Sequence, residues 1–313
     1  MKPTVLVSGS LAYDQIMDFP GFFKDNILPE KIHVLNVSFF VKQLRVSFGG
    51  TAGNIAYNLA LLGLRPTALG NVGDDFSRYR RWLGRHGVGI NQIKVMPGSR
   101  TATAFIITDQ ADNQISAFYP GALASPYKLQ TTNYKLQAQL AIIAADNPAN
   151  FLSLSAAYRR KKIPYIFDPG QQVALLSGSQ IRRATSGARV FISNDYELSL
   201  VLKKTGWSLA RLRRQVELVV TTLGSEGSII YAGSKRIKIP SAKPKNTSDP
   251  TGAGDAYRAG LIYGLVNHWP LDKAGRFAGL VAVYTVEQYG TQTHTFTWAD
   301  LKRRYRQNFG EPL

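Results

Sequence analysis

The chain has 313 residues, 44% hydrophobic and 11% aromatic, and contains no cysteine. This composition predicts a globular protein with a sizeable core and excludes disulfides, thiolate metal sites and cysteine nucleophiles. The net charge of +18 favours anionic partners, but the basic residues fall in short scattered groups, which favours a solvated basic surface over polyanion binding. No apolar run approaches the roughly 18 residues of a membrane helix, and no secretory signal precedes the first strand, so we expect a cytoplasmic protein.

The first predicted element is a buried strand, Thr4–Ser10, that ends in a turn of small residues. Asp14 follows closely, and ligands of open α/β sheets gather at the carboxyl ends of strands. Asp14 is therefore a candidate to bind the hydroxyl groups of a substrate, with an Asx-turn or a surface carboxylate as the alternative. Residues 16–48 are less regular, and within them Ile32–Ser38 predicts a strand of a small projecting sheet.

A glycine-rich turn, Gly49–Asn54, then leads into apolar residues at helical spacing. Asn54 offers both donors and acceptors to sugar hydroxyls, although tight packing of the helix on a strand also explains the glycines. Residues 76–86 predict a basic helix, and Thr101–Thr108 with Ile115–Tyr119 predict a hairpin of the small sheet. Phe118 is a candidate to stack on a planar substrate group, with a core aromatic as the alternative.

The second half of the chain alternates short apolar runs with stretches that predict helices. The runs are Leu140–Ala145, Tyr165–Phe167, Val190–Ser193, Leu218–Leu223 and Gly227–Tyr231. Such alternation predicts a mainly parallel sheet covered on both faces. Polar residues follow several of these runs, and we expect them to line one crevice: Asp146-Asn147, Asp168–Gln171, Asn194–Glu197 and Thr222–Gly227.

The stretch Ser248–Gly260 predicts a loop that runs into a buried helix. The first N–H groups of a helix favour anions, and Gly252 and Gly254 let a phosphate approach the backbone. Asp255 would repel such a ligand unless it accepts a proton. The combination predicts phosphoryl transfer with a base in place, and an ordinary N-cap is the alternative.

No Walker A pattern and no early G-x-G-x-x-G fingerprint is present. Four other motifs occur in register: Gly49-Gly50 with Asn54, Asn194-x-x-Glu197, Thr222-x-Gly224-x-x-Gly227 and Asp249–Asp255. Together they resemble the ribokinase-like, or PfkB, family of carbohydrate and nucleoside kinases from residue 4 to about residue 300. Stretches such as Phe167–Gln171 are most similar to the bacterial adenosine kinase branch.

The resemblance implies a ribokinase-like α/β fold: a mainly parallel sheet sandwiched by helices, with a small β-sheet lid. It further implies one kinase domain over residues 1–313, to which about 11–48 and 99–121 contribute the lid. The implied reaction transfers the γ-phosphate of ATP, with Mg²⁺, to a ribose 5′-hydroxyl. Adenosine or a related purine nucleoside is the first candidate acceptor. A sugar or sugar-phosphate kinase of the same family and a non-catalytic regulator that binds nucleosides or nucleic acid are the alternatives.

Residue roles follow from the same resemblance. Asp255 would take the proton of the hydroxyl, and the N–H groups of Gly252, Ala253 and Gly254 would stabilise the transferred phosphoryl group. The substrate would contact Asp14, Gly49, Gly50 and Asn54. The nucleotide would contact Asn194, Thr222, Gly224 and Gly227, with Gly290–His294 at its base. Glu197 would hold Mg²⁺ through water, and Asp249 and Thr251 a monovalent cation such as K⁺. We expect a small-molecule substrate, no membrane partner, and a monomer or homodimer.

Overall fold

The computed structural model describes residues 4–111, 113–129 and 137–313, which form two β-sheets and the helices around them. The strands are β1 Thr4–Ser8, β2 Ala12–Asp18, β3 Gln43–Gly49, β4 Arg65–Val72, β5 Gly89–Val95, β6 Ala102–Thr108, β7 Gln114–Tyr119, β8 Leu140–Ile143, β9 Tyr165–Phe167, β10 Val190–Asn194, β11 Leu218–Thr222, β12 Ser228–Ala232 and β13 Lys235–Ile239. The α-helices are α1 Thr51–Leu61, α2 Ser77–Arg85, α3 Pro148–Arg160, α4 Gly178–Thr185, α5 Asp195–Thr205, α6 Leu209–Arg213, α7 Ala253–Val266, α8 Leu271–Val286 and α9 Trp298–Phe309.

The large sheet has nine strands in the order β13-β12-β11-β10-β9-β8-β1-β4-β5. The strands from β11 to β5 are parallel, and β12 and β13 pair antiparallel at one edge. Parallel strands are joined by crossover helices, which is why both faces of such a sheet are covered. The parallel strands therefore end on the same edge, and the loops that follow them converge there.

Side chains of successive strand residues enter two separate cores, one on each face of the large sheet. Val5 and Val7 pack in one core and Leu6 in the other, as expected from the two-residue period of a strand. The first core is covered by α1, α2, α7 and α8, and the second by α3 to α6. On the first face α7 and α8 pack closely, because a Cβ at Gly264 would lie 2.5 Å from the Cβ of Ala274. This contact joins the last turn of α7 to the first turn of α8.

The small sheet has the order β3-β2-β6-β7, in which β2 and β6 are parallel and the other pairs are antiparallel. Apart from Gly49 at the end of β3, its strands lie within the segments 11–48 and 99–121, and the hairpin predicted from Thr101 to Tyr119 is present as β6 and β7. The predicted fold class, a mainly parallel sheet between helices with a small sheet as a lid, is confirmed. That residues 1–313 form a single domain remains a prediction.

The strand predicted over Ile32–Ser38 is wrong. Pro29–Val34 forms a 3-10 helix, and irregular chain follows it. Pro29 supplies the fixed φ angle that suits the first turn of a helix, which outweighs the alternation of apolar residues behind it. The edge strands β5 and β13 have no counterpart among the strands predicted from sequence, since their apolar residues are interrupted by charged and polar ones. Within the described residues, no helix is both long and apolar enough to cross a membrane.

Candidate active site

A cavity of about 380 Å³ lies between the carboxyl-end edge of the large sheet and the small sheet. We call it the lid cavity. The small sheet contributes Asp14, Ala104 and Phe118 to its walls, and the loops after β9 and β10 contribute polar residues that include Asp168, Gln171, Asn194 and Glu197. The amino-terminal turns of α1 and α7 complete it with Gly50, Thr51, Asn54, Gly252, Gly254 and Asp255. Residues from widely separated parts of the chain thus face one space.

The start of α7 offers unpaired backbone donors to this space. Gly252, the N-cap, has a φ of 78°, and the Ala253 N–H donates to the Pro250 carbonyl at 3.1 Å. Among the described residues, the N–H groups of Gly252, Gly254 and Asp255 have no protein acceptor. A helix amino terminus with free N–H groups attracts anions. The Asp255 N–H is a donor that sequence reasoning missed, whereas that of Ala253 is already used in the turn.

Asp255 lies in the first turn of α7 and lines the lid cavity. Its Oδ2 accepts a hydrogen bond from Asn54 Nδ2 at 2.8 Å. Burial raises the pKa of the Asp255 carboxyl to about 7, while the Asn54 hydrogen bond and the positive charge of Arg258 act in the opposite direction. A carboxylate with a pKa near neutrality is suited to accept and release a proton at physiological pH.

Asp14 reaches the lid cavity from β2 of the small sheet. A Cβ at Gly49 would lie 2.2 Å from Asp14 Oδ2, so glycine at that position makes room for the carboxylate. Burial and the negative charge of Asp249 raise the pKa of Asp14 to about 6. Asp14 therefore retains a negative charge at neutral pH and can accept hydrogen bonds from hydroxyl groups.

Asn54 is bonded more fully than the sequence indicated. Besides the contact from its Nδ2 to Asp255, its Oδ1 accepts from Gln292 Nε2 at 3.0 Å, and the side chain is only 4% exposed. An amide has two donor hydrogens and one oxygen with two acceptor lone pairs. One Nδ2 hydrogen and one lone pair of Oδ1 are thus left for a sugar hydroxyl, and the contact of Asn54 with a sugar remains a prediction.

A buried ion pair next to Asp255 was not anticipated as a feature of the site. Arg258 Nη2 donates to Asp168 Oδ1 at 2.7 Å, its Nε donates to the other carboxylate oxygen, and its Nη1 donates to the Gly254 carbonyl at 3.1 Å. Arg258 follows Asp255 by three residues, one turn along α7. This spacing places the two residues on the same face of a buried helix, and it was the feature of the sequence from which the place of Arg258 in the site could have been predicted. The pair ties the first turn of α7 to the end of β9.

Asn194 and Glu197 form a reciprocal capping box at the start of α5. Asn194 Oδ1 accepts from the Glu197 N–H at 2.7 Å, and Glu197 Oε2 accepts from the Asn194 N–H at 2.9 Å. Glu197 lines the lid cavity, and the bond from the Asn194 N–H uses only its Oε2. Burial raises the pKa of Glu197, and the hydrogen bond from the Asn194 N–H opposes this effect.

The side chains of Asn194 and Glu197 fit a Mg²⁺ ion that is held through water better than one that they ligate directly. In the described part of the chain no cluster of three or more His, Cys, Asp or Glu side chains could hold a metal. Mg²⁺ usually keeps several waters and binds one or two carboxylates together with substrate phosphates. One free carboxylate oxygen from Glu197 meets that requirement.

Asp249 organises the turn that precedes α7. Its Oδ1 accepts from the Thr251 N–H at 2.9 Å and its Oδ2 from the Gly290 N–H at 3.1 Å. These two bonds connect the turn to the chain that follows α8. A monovalent cation at Asp249 and Thr251 remains a prediction.

A second cavity of about 510 Å³ adjoins the lid cavity, and we call it the outer cavity. Thr222 and Gly254 line both, and Gly224 and Gly227 line the outer one only. Gly227 has a φ of 91°, and a Cβ there would lie 2.1 Å from the Ile239 carbonyl oxygen, so the turn after β11 requires glycine. The opposite wall comes from apolar and small residues of α8: Gly275, Gly279, Ala282, Val283 and Val286. This wall suits a flat, largely apolar group.

The strand-end residues therefore divide between two cavities instead of lining one crevice, and Asp146 is buried at 1% exposure outside both. None of the residues Gly290–His294 lines the outer cavity, and their contact with a nucleotide base remains a prediction. Thr291 instead donates to the Phe48 carbonyl at the small sheet, and His294 packs against α1 through Asn58. Residues of the segment 239–247 line the outer cavity.

Two adjoining cavities at the carboxyl edge of a parallel sheet, with a carboxylate in a helix amino-terminal turn where they meet, define a kinase of the ribokinase-like fold. The chain belongs to the pfkB family of carbohydrate kinases, whose family model matches residues 11–298.

Individual relatives are similar over nearly the whole chain. The nucleoside kinase of Methanothermobacter thermautotrophicus is 34% identical over 310 residues, which cover 98% of this chain and 96% of the relative. The structure of Burkholderia thailandensis nucleoside kinase in complex with inosine superposes with a TM-score of 0.89 at 34% identity and covers 99% of this chain and 100% of that chain. The structure of the same kinase in complex with ADP-inosine has a TM-score of 0.86 at 36% identity, with 98% and 97% covered.

Proposed function

We propose that this protein is an ATP-dependent nucleoside kinase that transfers the γ-phosphoryl group of Mg-ATP to the ribose 5′-hydroxyl of adenosine or a closely related purine nucleoside. The observation that carries the proposal is the position of Asp255. It stands at the helix amino terminus that separates the lid cavity from the outer cavity, with a pKa near neutrality. An acceptor in one cavity and ATP in the other would meet at this carboxylate.

In the proposed reaction the acceptor hydroxyl gives its proton to Asp255 as its oxygen forms a bond to the γ-phosphorus. The bond from that phosphorus to the bridging oxygen of ADP breaks. Charge on the transferred group would be stabilised by the backbone N–H groups of Gly252, Gly254 and Asp255, a contribution that suits a loose phosphoryl transition state. Mg²⁺, held through water by Glu197, would neutralise the phosphate oxygens.

The lid cavity favours an uncharged acceptor over a phosphorylated sugar. Its described lining contains the carboxylates of Asp14, Asp168, Glu197 and Asp255 but a single cation, Arg258, which is already paired with Asp168. A sugar phosphate would meet net negative charge there, and the burial of unpaired like charges is costly. The acceptor is therefore expected to be neutral.

A nucleoside is favoured over a free sugar because part of the lid cavity is apolar. Ala104, Phe118 and Leu123 line it, and Phe118 is 50% exposed toward solvent. An exposed ring of this kind can stack on a nucleobase, which a monosaccharide lacks. The similar kinase of Burkholderia thailandensis forms complexes with inosine and with ADP-inosine, which supports the same class of acceptor here.

The proposal is tested by ADP release from Mg-ATP with adenosine, inosine, guanosine, cytidine, ribose and fructose 6-phosphate. We expect turnover with purine nucleosides, and loss of on the order of 10²–10⁴ in kcat for Asp255→Asn, because that is the usual contribution of a positioned base. Asp272→Asn, an aspartate in the first turn of α8, is the matched control and should leave kcat unchanged. Turnover with sugars alone, or full activity in Asp255→Asn, would contradict the proposal.

A further inference from the structure

Asp255 is joined through Asn54 to buried polar side chains that the roles proposed above do not use. Gln292 Nε2 donates to Asn54 Oδ1 at 3.0 Å, and Gln292 Oε1 accepts from Trp82 Nε1 at 3.1 Å. Gln292 is 3% exposed and comes from the chain after α8, whereas Trp82 lies on α2 and Asn54 on α1. Three elements therefore meet in one hydrogen-bonded series that ends at Asp255.

The direction of this series is set by Trp82. An indole N–H only donates, so the atom of Gln292 that faces Trp82 must be the amide oxygen. The Gln292 nitrogen then faces Asn54, which must present its own oxygen in return and turn its nitrogen toward Asp255. A single donor-only group thus decides the orientation of two amides that would otherwise be free to exchange oxygen for nitrogen.

Tyr79 binds the remaining hydrogen of the Gln292 amide. Its hydroxyl accepts the second hydrogen of Gln292 Nε2 at 2.5 Å and donates to the Gly49 carbonyl at 2.8 Å. Each polar atom of the Gln292 side chain consequently has a partner, and an inverted amide would place nitrogen against nitrogen. Buried networks in which every member is satisfied hold one arrangement strongly.

Gly53 provides the space for this arrangement. A Cβ at Gly53 would lie 1.8 Å from the Tyr79 hydroxyl and 3.1 Å from Gln292 Nε2. Glycine inside a helix costs about 1 kcal/mol relative to alanine, and here it lies in the first turn of α1 where no positive φ requires it. The sequence of α1 thus accommodates the approach of Tyr79 and Gln292 to Asn54.

We propose that Trp82 and Gln292 are positioning residues for the base: they hold Asn54 in the one amide orientation that presents Nδ2–H to the Asp255 carboxylate. The inference rests on the proposed function in that Asp255 is taken as the base. With the amide inverted, Asn54 Oδ1 would face a carboxylate oxygen, and the repulsion would turn Asp255 away from the acceptor hydroxyl or keep it protonated.

Other charged and titratable groups also act on Asp255 and stay in place when the series is broken. Arg258 on α7 lowers its pKa, and Asp168 after β9 and Asp14 on β2 raise it. Tyr79 on α2 interacts with it and has a strongly raised pKa through burial, so it stays neutral. A change in the pKa of Asp255 in the variants described below therefore reports the loss of the hydrogen bond from Asn54.

The test breaks the series at its two outer members with Trp82→Phe and Gln292→Met, which retain an apolar group of similar shape. We expect kcat for the nucleoside to fall about tenfold with KM little changed, since a hydrogen bond to a charged group is lost or weakened. Because Nδ2–H stabilises the ionised carboxylate, its loss should move the acidic limb of the kcat/KM profile to higher pH by about one unit.

His294→Phe is the matched control. His294 Nε2 bonds Asn58 Oδ1 at 2.8 Å, so it links the same stretch of chain to the same helix one turn beyond Asn54. Its replacement should lower stability and leave the acidic limb in place. An equal shift in this control, or no shift in Trp82→Phe and Gln292→Met, would overturn the inference.

A second readout does not depend on turnover. The carboxyl ¹³C signal of Asp255, assigned by its absence in Asp255→Asn, gives the titration midpoint of the group directly. We expect a higher midpoint in Trp82→Phe and Gln292→Met than in the native chain, and an unchanged midpoint would reject the positioning role. A shifted midpoint in a protein that phosphorylates no nucleoside would reject the proposed function and leave the positioning role intact.

Discussion

Gly50, the N-cap of α1, is the residue at which backbone conformation and site geometry are most directly linked. Its φ is 85°, and a Cβ there would lie 2.5 Å from the Ser10 carbonyl oxygen and 2.7 Å from the Ala12 nitrogen. Ala12 begins β2, the strand that carries Asp14. Gly50 thus allows the start of α1 to lie directly against the chain that enters the small sheet.

We predict that Gly50→Ala lowers the free energy of unfolding by about 2 kcal/mol or more, because strain at a positive φ, of order 1–3 kcal/mol, adds to overlap with the backbone. Activity should also fall, since relief of the overlap moves Asp14. Chemical denaturation and the nucleoside kinase assay provide the two measurements.

Gly63→Ala is the control for that prediction. Gly63 has a φ of 86°, and a Cβ there would meet nothing within 4 Å, so this variant has the strain without the overlap. It should lose stability and keep full activity. Equal losses of stability in the two variants would show that the contact with Ser10 and Ala12 is unimportant.

At the scale of elements, the Asp168–Arg258 pair connects helix α7 to the end of strand β9. Asp168 and Arg258 are 2% and 8% exposed, so both charges lie away from water. A buried ion pair adds little net stability by itself, but the removal of one partner leaves the other charge buried and unpaired. The pair therefore holds the first turn of α7, with Asp255, in a fixed relation to the sheet edge.

We predict that Arg258→Met lowers the free energy of unfolding by about 3–5 kcal/mol, the usual cost of an unpaired buried charge. The double variant Arg258→Met with Asp168→Leu should recover most of this loss, because no charge is then left buried and unpaired. Kinase activity should stay low, because the hydrogen bonds that tie the first turn of α7 to the end of β9 are absent. Urea titrations of both variants measure the effect. A double variant as unstable as the single one would show that packing, and not charge, is what Arg258 supplies.

At the scale of the whole molecule, three carboxyl groups make stability depend on pH near neutrality. Burial is the main cause that raises the pKa of Asp14 and of Asp146 to about 6 and that of Asp255 to about 7. These groups bind protons more tightly in the folded chain than in the unfolded one. Their contribution to stability is therefore complete below the unfolded pKa and is lost as the pH rises through about 6 to 7.

We predict that the free energy of unfolding increases as the pH is lowered from about 8 to about 5. Asp146 is a sharp test, because its Oδ2 has no hydrogen-bond partner among the described residues. Asp146→Asn should be more stable than the native chain at the upper end of that range and depend less on pH. A native stability that falls steadily over the same interval would contradict the prediction.

The local patterns of the sequence were sufficient for much of the fold. Apolar runs at β1, β8, β10 and β11 predicted the parallel strands, because each strand is buried on both faces and its pattern is set by that burial. The glycines and Pro250 ahead of α7 predicted a loop entering a helix with Asp255 in its first turn. Over Pro29–Val34 the predicted secondary structure was wrong, because the prediction gave the alternating apolar residues more weight than Pro29.

The sequence by itself determined most of the parallel strands and the side chains at the starts of α1 and α7, because glycine turns and burial patterns are encoded by neighbouring residues. Only the tertiary structure decided which of those side chains meet. Asp255 pairs with Asn54, Arg258 pairs with Asp168, and Asn54 pairs with Gln292. The two residues of each pair are distant in the chain. An amide or a carboxylate has no local preference for one distant partner, so only the packing of α1, α2 and α7 on the sheet selects it.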